Sequence, residues 1–398
     1  MTACFLISLY VSFELGYDTF HTKADRIYRM TTTVKTPTES FVNAITNFPN
    51  APNIKADFPE VESFVRIVDV DLLVKKGEQT FREDRSLAAD SSFFSLFDFR
   101  LLQGDASSVL REPFSMVLTQ STARKYFGNA DPIGQTLAIA GDDTLFSVKV
   151  TGLMQDFPEN SHIKGDMLVA MSTFTEVLNK ETVENWTNHN PSSYLLLRPG
   201  TDAKALEAKL PAYLDRHIGE LMDQLQMHYT LGLHPLKDVY FRFSRYRHPG
   251  ETGNMAHVYG FSLVALLILL IACFNFINLS TARAVERAKE VGIRKVAGAL
   301  RRHLTLQFTG ESVLVCLAAF VLTVVLATLL LPLFNHLAGK TVSRGLLESP
   351  QALLMLFCSA AGVGLLAGLY PARVLSSFQP VKVLKGRFAG TRSGTALR

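Results

Sequence analysis

Three stretches without Asp, Glu, Lys or Arg, at 252–282, 312–339 and 349–372, constrain the fold of this chain more than any other feature. Each is filled with Leu, Val, Ile, Ala and Phe, and a membrane-crossing helix needs about 20 mainly apolar residues. Three such runs so close together are too dense for the buried helices of a water-soluble domain. They predict spanning helices at roughly 257–279, 311–335 and 351–371. A fourth apolar run, MTACFLISLYVSF at 1–13, is too short to span and has no basic residues ahead of it. It lacks the charged start and small-residue cleavage site of a secretory signal. The expectation is the outer part of a truncated first helix at 1–15, giving a four-helix bundle whose first member is incomplete.

Charge then sets orientation. Residues 1–255 carry 25 Lys/Arg against 32 Asp/Glu, whereas 283–303 carries seven basic residues and two acids. The tail 373–398 has six basic residues and no acid. Basic residues accumulate on the cytoplasmic side. The loop 283–308 and the tail 373–398 are therefore expected inside, and 16–255 outside. The four cysteines agree: Cys4, Cys273, Cys316 and Cys358 all lie in apolar runs. The outer segment is long enough to hold a core without disulfides. Net charge of +4 averages over two compartments and carries no sign of nucleic-acid binding.

Within 16–255, strands are expected at 26–34, 62–70, 114–119, 146–154 and 192–198, rich in Val, Ile, Phe, Tyr and Thr. Helices are expected at 49–58, 119–126 and 202–217, the last with Leu206, Leu210, Leu214 and Ile218 on one face. Their irregular interleaving predicts an α+β domain.

Apparent catalytic signals fail. AGKT at 338–341 lacks the glycine a phosphate loop needs, since Phe334 stands there. No HExxH or GxSxG occurs, and the ten histidines show no metal-ligand spacing. Near the inner end of the helix expected at 257–279 the strongly polar side chains are Asn275 and Asn278, for which interhelical hydrogen bonding is the expected role. No mid-membrane acid or base marks a proton route. Gly364 and Gly368 form a GxxxG packing face, and Pro371 is expected to close that helix.

The inner loop is the most informative segment. On a helix of about 100° per residue, Ile293, Val296, Ala297, Leu300 and Leu304 share one arc. Arg294, Lys295, Arg301 and Arg302 fall opposite, and Gly292 and Gly298 leave notches for close approach. Such a helix suits either a groove on a protein partner or the surface of anionic lipid.

Five segments resemble one family in order along the chain: ELGYDTFHTKADRIYR at 14–29, ARKYFGNADPIGQTL at 123–137, VTGLMQDFPENSHI at 150–163, ERAKEVGIRKVAGALRRHL at 286–304 and GLYPARVLSSFQPVKVLKG at 368–386. They are similar to the FtsX/MacB-like permeases of ABC transporters, with a MacB-like outer core domain at 16–255 and an FtsX-like permease domain at 256–398. Leu300 departs from that pattern, where a small polar residue is commoner. The chain looks like the front half of a longer permease. The resemblance implies no enzyme activity and no cofactor in this chain, ATP being bound by a separate cytoplasmic ATPase subunit. It further implies a coupling helix in which Glu286, Lys289, Glu290, Gly292, Ile293, Arg294, Lys295, Val296 and Gly298 meet that ATPase. Other implied partners are membrane lipid and a second permease half or subunit. The motion would serve export or extraction of a lipoprotein, peptide or toxic compound. A ligand-sensing or partner-activating module, a membrane-anchored enzyme and a nonfunctional fragment are the rival readings.

Overall fold

The computed structural model describes residues 1–377 apart from 77, 141–144, 244–250, 287, 341 and 343–348. Side chains at 283–289, 352, 367 and 370–377 also lie outside the description. The basic tail therefore falls outside it from residue 378 onward. The chain divides into two compact units, Gly16–Met255 and Met1–Leu15 together with Ala256–Arg398.

The first unit is built on a mixed sheet of eleven strands among the described residues. These are β1 (Ile27–Lys35), β2 (Ser40–Asn43), β3 (Val61–Lys76), β4 (Gln79–Ala89), β5 (Leu101–Gln103), β6 (Ser115–Thr119), β7 (Thr136–Ala140), β8 (Leu145–Met154), β9 (Met167–Ala170), β10 (Ser192–Leu197) and β11 (His228–Pro235). Their order is β11-β1-β10-β3-β4-β9-β6-β8-β5, with β2 on β1 and β7 joining β3 to β8. Pairs β4–β9 and β6–β8 run parallel and the others antiparallel. Strands β6, β9 and β10 are buried along their whole length, which suits their apolar runs. Strand β4 was not legible in advance. Its sequence QTFREDRSLAA exposes charges along half its length and is held by the long antiparallel pairing with β3.

Helices cover this sheet: α2 (Asn50–Asp57), α3 (Phe93–Leu96), α4 (Gln120–Phe127), α5 (Ala203–Glu207), α6 (Leu210–Leu225) and α7 (Leu236–Arg242). The expected single helix at 202–217 is broken between α5 and α6 and runs on to Leu225. Its periodic leucines nevertheless all face inward: Leu206, Leu210, Leu214 and Ile218 pack with Met30, Leu195 and Leu231.

The second unit is helical, comprising α1 (Thr2–Leu15), α8 (Met255–Glu286), α9 (Ala288–Val296), α10 (Arg301–Ala338) and α11 (Pro350–Ser377). Among the described residues, Met255–Ala282 and Arg301–Ala338 are long and apolar enough to cross a membrane. Thr2–Leu15 and Leu353–Leu366 are apolar but shorter. Pro371 does not close its helix, contrary to expectation; α11 continues to Ser377. Pro332 likewise sits inside α10. A proline removes one backbone hydrogen bond, and apolar packed helices absorb that loss without ending.

Candidate functional site

The basic loop folds into a helix, a turn and the start of a second helix. The predicted apolar arc from Ile293 to Leu304 assumed a continuous helix, and the structure corrects this. Helix α9 stops at Val296, and α10 begins only after Leu300, which is extended. Gly298 sits in the left-handed region at φ +96°. Its N–H donates to Lys295 O (3.1 Å), and the Ala299 N–H donates to Arg294 O (2.9 Å). These two bonds close the last helical carbonyls, the pairing that a glycine just past a helix end makes possible. Gly298 thus serves the turn itself. Open space lies around the position a Cβ would take there, so the demand for glycine is one of backbone conformation.

The turn splits the expected arc into two roles. Leu304 points inward, where it and Val291 are almost fully buried and pack with Ala299 and Phe308. Gly292, beside Val291, is buried too. Ile293, Val296 and Leu300 remain outside at 61%, 69% and 63% exposure. An exposed apolar trio flanking a glycine-closed turn is the kind of surface that a partner covers.

Charged neighbours frame this trio. Arg294 is held by Glu290 one turn earlier (2.6 Å) and donates to Gln307 Oε1 on α10 (2.9 Å). Glu290 is therefore engaged within the chain, and Gln307, which the pattern analysis passed over, braces α9 against α10. Partial burial and the neighbouring Arg301 push the Lys295 ammonium below its ordinary value. The side chains of Glu286 and Lys289 lie outside the described residues.

The membrane-helix positions also have definite places. Gly364 and Gly368 are buried on α11 against α10. A Cβ on Gly364 would lie 2.9 Å from the Val313 Cα, and one on Gly368 would lie 2.6 Å from the Ser312 Cβ. Asn275 and Asn278 were expected to bond between helices. Both are exposed on α8, and neither side chain makes a hydrogen bond among the described residues. No group of His, Cys, Asp and Glu able to hold a metal occurs among the described residues.

Comparison with known proteins assigns the two units separately. The family model for the MacB-like periplasmic core domain matches residues 1–213, and that for the FtsX-like permease C-terminal region matches 262–380. Relatives include the macrolide export ATP-binding/permease protein MacB of Neisseria gonorrhoeae, 26% identical over 311 residues, 77% of this chain and 42% of that one. The same-named protein of Agrobacterium fabrum is 24% identical over 82% of this chain and 47% of its own. That of Bordetella avium is 28% identical over 72% and 40%. The chain thus spans less than half the length of each of these relatives. The crystallised periplasmic region of MacB from Actinobacillus actinomycetemcomitans is 15% identical, with a TM-score of 0.37 over 54% of this chain and 90% of that one. The assignment rests on the sequence matches. With more than half of its length matched by the periplasmic core model alone, the chain belongs to the FtsX/MacB-like family of ABC transporter permeases, inner-membrane proteins with a large extracytoplasmic domain.

Proposed function

We propose that this chain is a permease subunit that takes up ATP-driven motion from a separate cytoplasmic ATPase and passes it through a four-helix membrane part to the outer domain. The observation that carries the reading is the exposed trio Ile293, Val296 and Leu300, presented on a glycine-closed turn between α9 and α10. Val291 and Leu304 anchor this turn from beneath, and Arg294 ties α9 to α10 through Gln307. A push on the trio would therefore move the start of α10 with it. The long apolar helix α10 continues that path across the membrane. Relatives named for macrolide export support a toxic compound as cargo, within the wider class of lipoproteins, peptides and toxic compounds that such permeases handle. A second permease half or subunit would complete the assembly, with the exposed Asn275 and Asn278 of α8 finding hydrogen-bond partners there or at the lipid headgroups.

The test is co-purification. Ile293→Asp and Val296→Asp place a charge on the apolar trio without touching its buried anchor. Recovery of the cytoplasmic ATPase with the chain should fall by on the order of tenfold or more, as for loss of a central apolar contact. The amount of chain in the membrane fraction should not change. Retention of the ATPase by both variants at the parent level would end the coupling assignment and leave the lipid-surface reading.

A further inference from the structure

The outer unit is joined to membrane helices at both of its ends, by residues 16–22 after α1 and by residues 251–254 before α8. More than 200 residues separate these segments in the chain. Inside the domain they converge on one loop, 158–162, and on one helix, α7.

The incoming segment is fixed first. Asp18 lies in the left-handed region at φ 56°, which an Asp tolerates better than most side chains. Its N–H donates to Asn160 O (2.9 Å), and Asn160 Nδ2 donates back to Gly16 O (2.8 Å). The Asp18 carboxylate is fully buried and accepts from the His162 N–H at Oδ1 (3.1 Å). Its other oxygen lies 2.7 Å from His162 Nδ1. The second ring nitrogen of His162 is 2.7 Å from the hydroxyl of Tyr194 on β10, a strand paired on both sides, with β1 and β3.

The outgoing segment returns to the same place. The Glu251 N–H donates to His162 O (3.4 Å), and Tyr17, next to Asp18, donates its hydroxyl to Glu251 Oε2 (2.8 Å). Tyr17 also stacks on Tyr240 of α7 with ring centroids 3.5 Å apart. The Gly253 N–H donates to Tyr240 O (2.8 Å), and the Tyr240 ring lies where a Cβ on Gly253 would go.

We propose that Asp18 and His162 form a clasp that locks the two membrane connections of the outer domain into a single mechanical body fixed to β10. Two flexible tethers would each absorb motion in their own backbone. Here neither segment leaves its seat without exposing the other's partners, and separating Asp18 from His162 strands a buried charge, a costly event. Motion of either connecting helix thus reaches the sheet at Tyr194. The motion itself belongs to the permease reading, but the clasp is a property of this chain alone and is tested without any ATPase.

Amide hydrogen exchange on the full chain in lipid nanodiscs provides that test. Asp18→Asn keeps a residue suited to the left-handed backbone and removes the charge. Tyr17→Phe keeps the stack on Tyr240 and removes the bond to Glu251. Asp18→Asn should raise exchange on the order of tenfold in 158–163 and also in 251–254, although 251–254 contains no altered residue. Tyr17→Phe should raise it severalfold in 251–254. Strands β6 and β9 should keep the parent rate in both variants. Unchanged exchange at 251–254 in both variants would overturn the clasp, because the connections would then be independent. A uniform rise that includes β6 and β9 in both variants would overturn it equally, since the residues would then serve general stability.

Discussion

At the scale of single residues, burial of histidine sets how the outer domain responds to acid. His21 is 3% exposed, and its Nδ1 accepts the Asp98 N–H (3.0 Å), which requires a ring nitrogen without a proton. Burial, only partly offset by the nearby Asp18 and Asp98, lowers its pKa to about 4. Burial and the charges of Arg242 and Arg29 lower His234 to about 4 as well. Both rings stay neutral in the fold over a range in which the unfolded side chain, titrating near 6.5, is protonated. The unfolded chain therefore binds more protons between those values. Stability is at its full level above about pH 6.5 and falls as pH drops towards 4. His21 alone should remove about 2 kcal/mol between pH 7 and pH 5. Thermal unfolding at these two pH values checks this, and His21→Gln should flatten the dependence. An equally steep fall in the variant would assign the acid response elsewhere. Nothing in the pattern around His21 distinguishes it from the exposed His228, because burial is decided by what packs against it.

At the scale of elements, α11 lies close against α10, and this approach depends on two glycines. The GxxxG spacing of Gly364 and Gly368 was plain in the sequence. The face that receives it was not, for Thr309, Ser312, Val313 and Cys316 have no pattern in common beyond their spacing. Gly368→Ala places a methyl group against the Ser312 side chain and should destabilise the helical unit by about 1–3 kcal/mol through overpacking. Ser312→Gly should restore much of that loss when combined with it. The melting temperature of the full chain in detergent reads both effects. Equal melting of the parent and Gly368→Ala would mean that the helices separate at no cost. The cytoplasmic turn teaches a similar lesson. A regular 100° rotation placed Leu304 beside Ile293, whereas Gly298 breaks the helix and sends Leu304 inward to Val291. Periodicity holds only as far as the helix continues.

At the scale of the whole molecule, the limits of the outer domain follow from where its buried polar groups lie. A cut at 22–250, which the helix and strand pattern alone would allow, removes Tyr17, Asp18, Glu251 and Gly253. His162 and Tyr240 would then lose partners they meet inside the domain. A soluble piece of 16–255 should unfold cooperatively, and 22–250 should melt several degrees lower. Orphaning a buried hydrogen-bonding group costs about 1–3 kcal/mol, enough for such a shift. Identical melting curves would show that the terminal segments add nothing. The sequence by itself determined the apolar helices and two of the strands that are buried along their whole length, β6 and β10. Each of these is a local property, read from composition and period over a short window. It also held the two motifs around Asp18 and His162, but as separate strings 144 residues apart. Only the tertiary structure decided that they meet, that charged β4 pairs with β3, and that Ile293 faces out while Leu304 faces in. Those outcomes depend on the full set of surfaces competing for burial, and no local window contains that set.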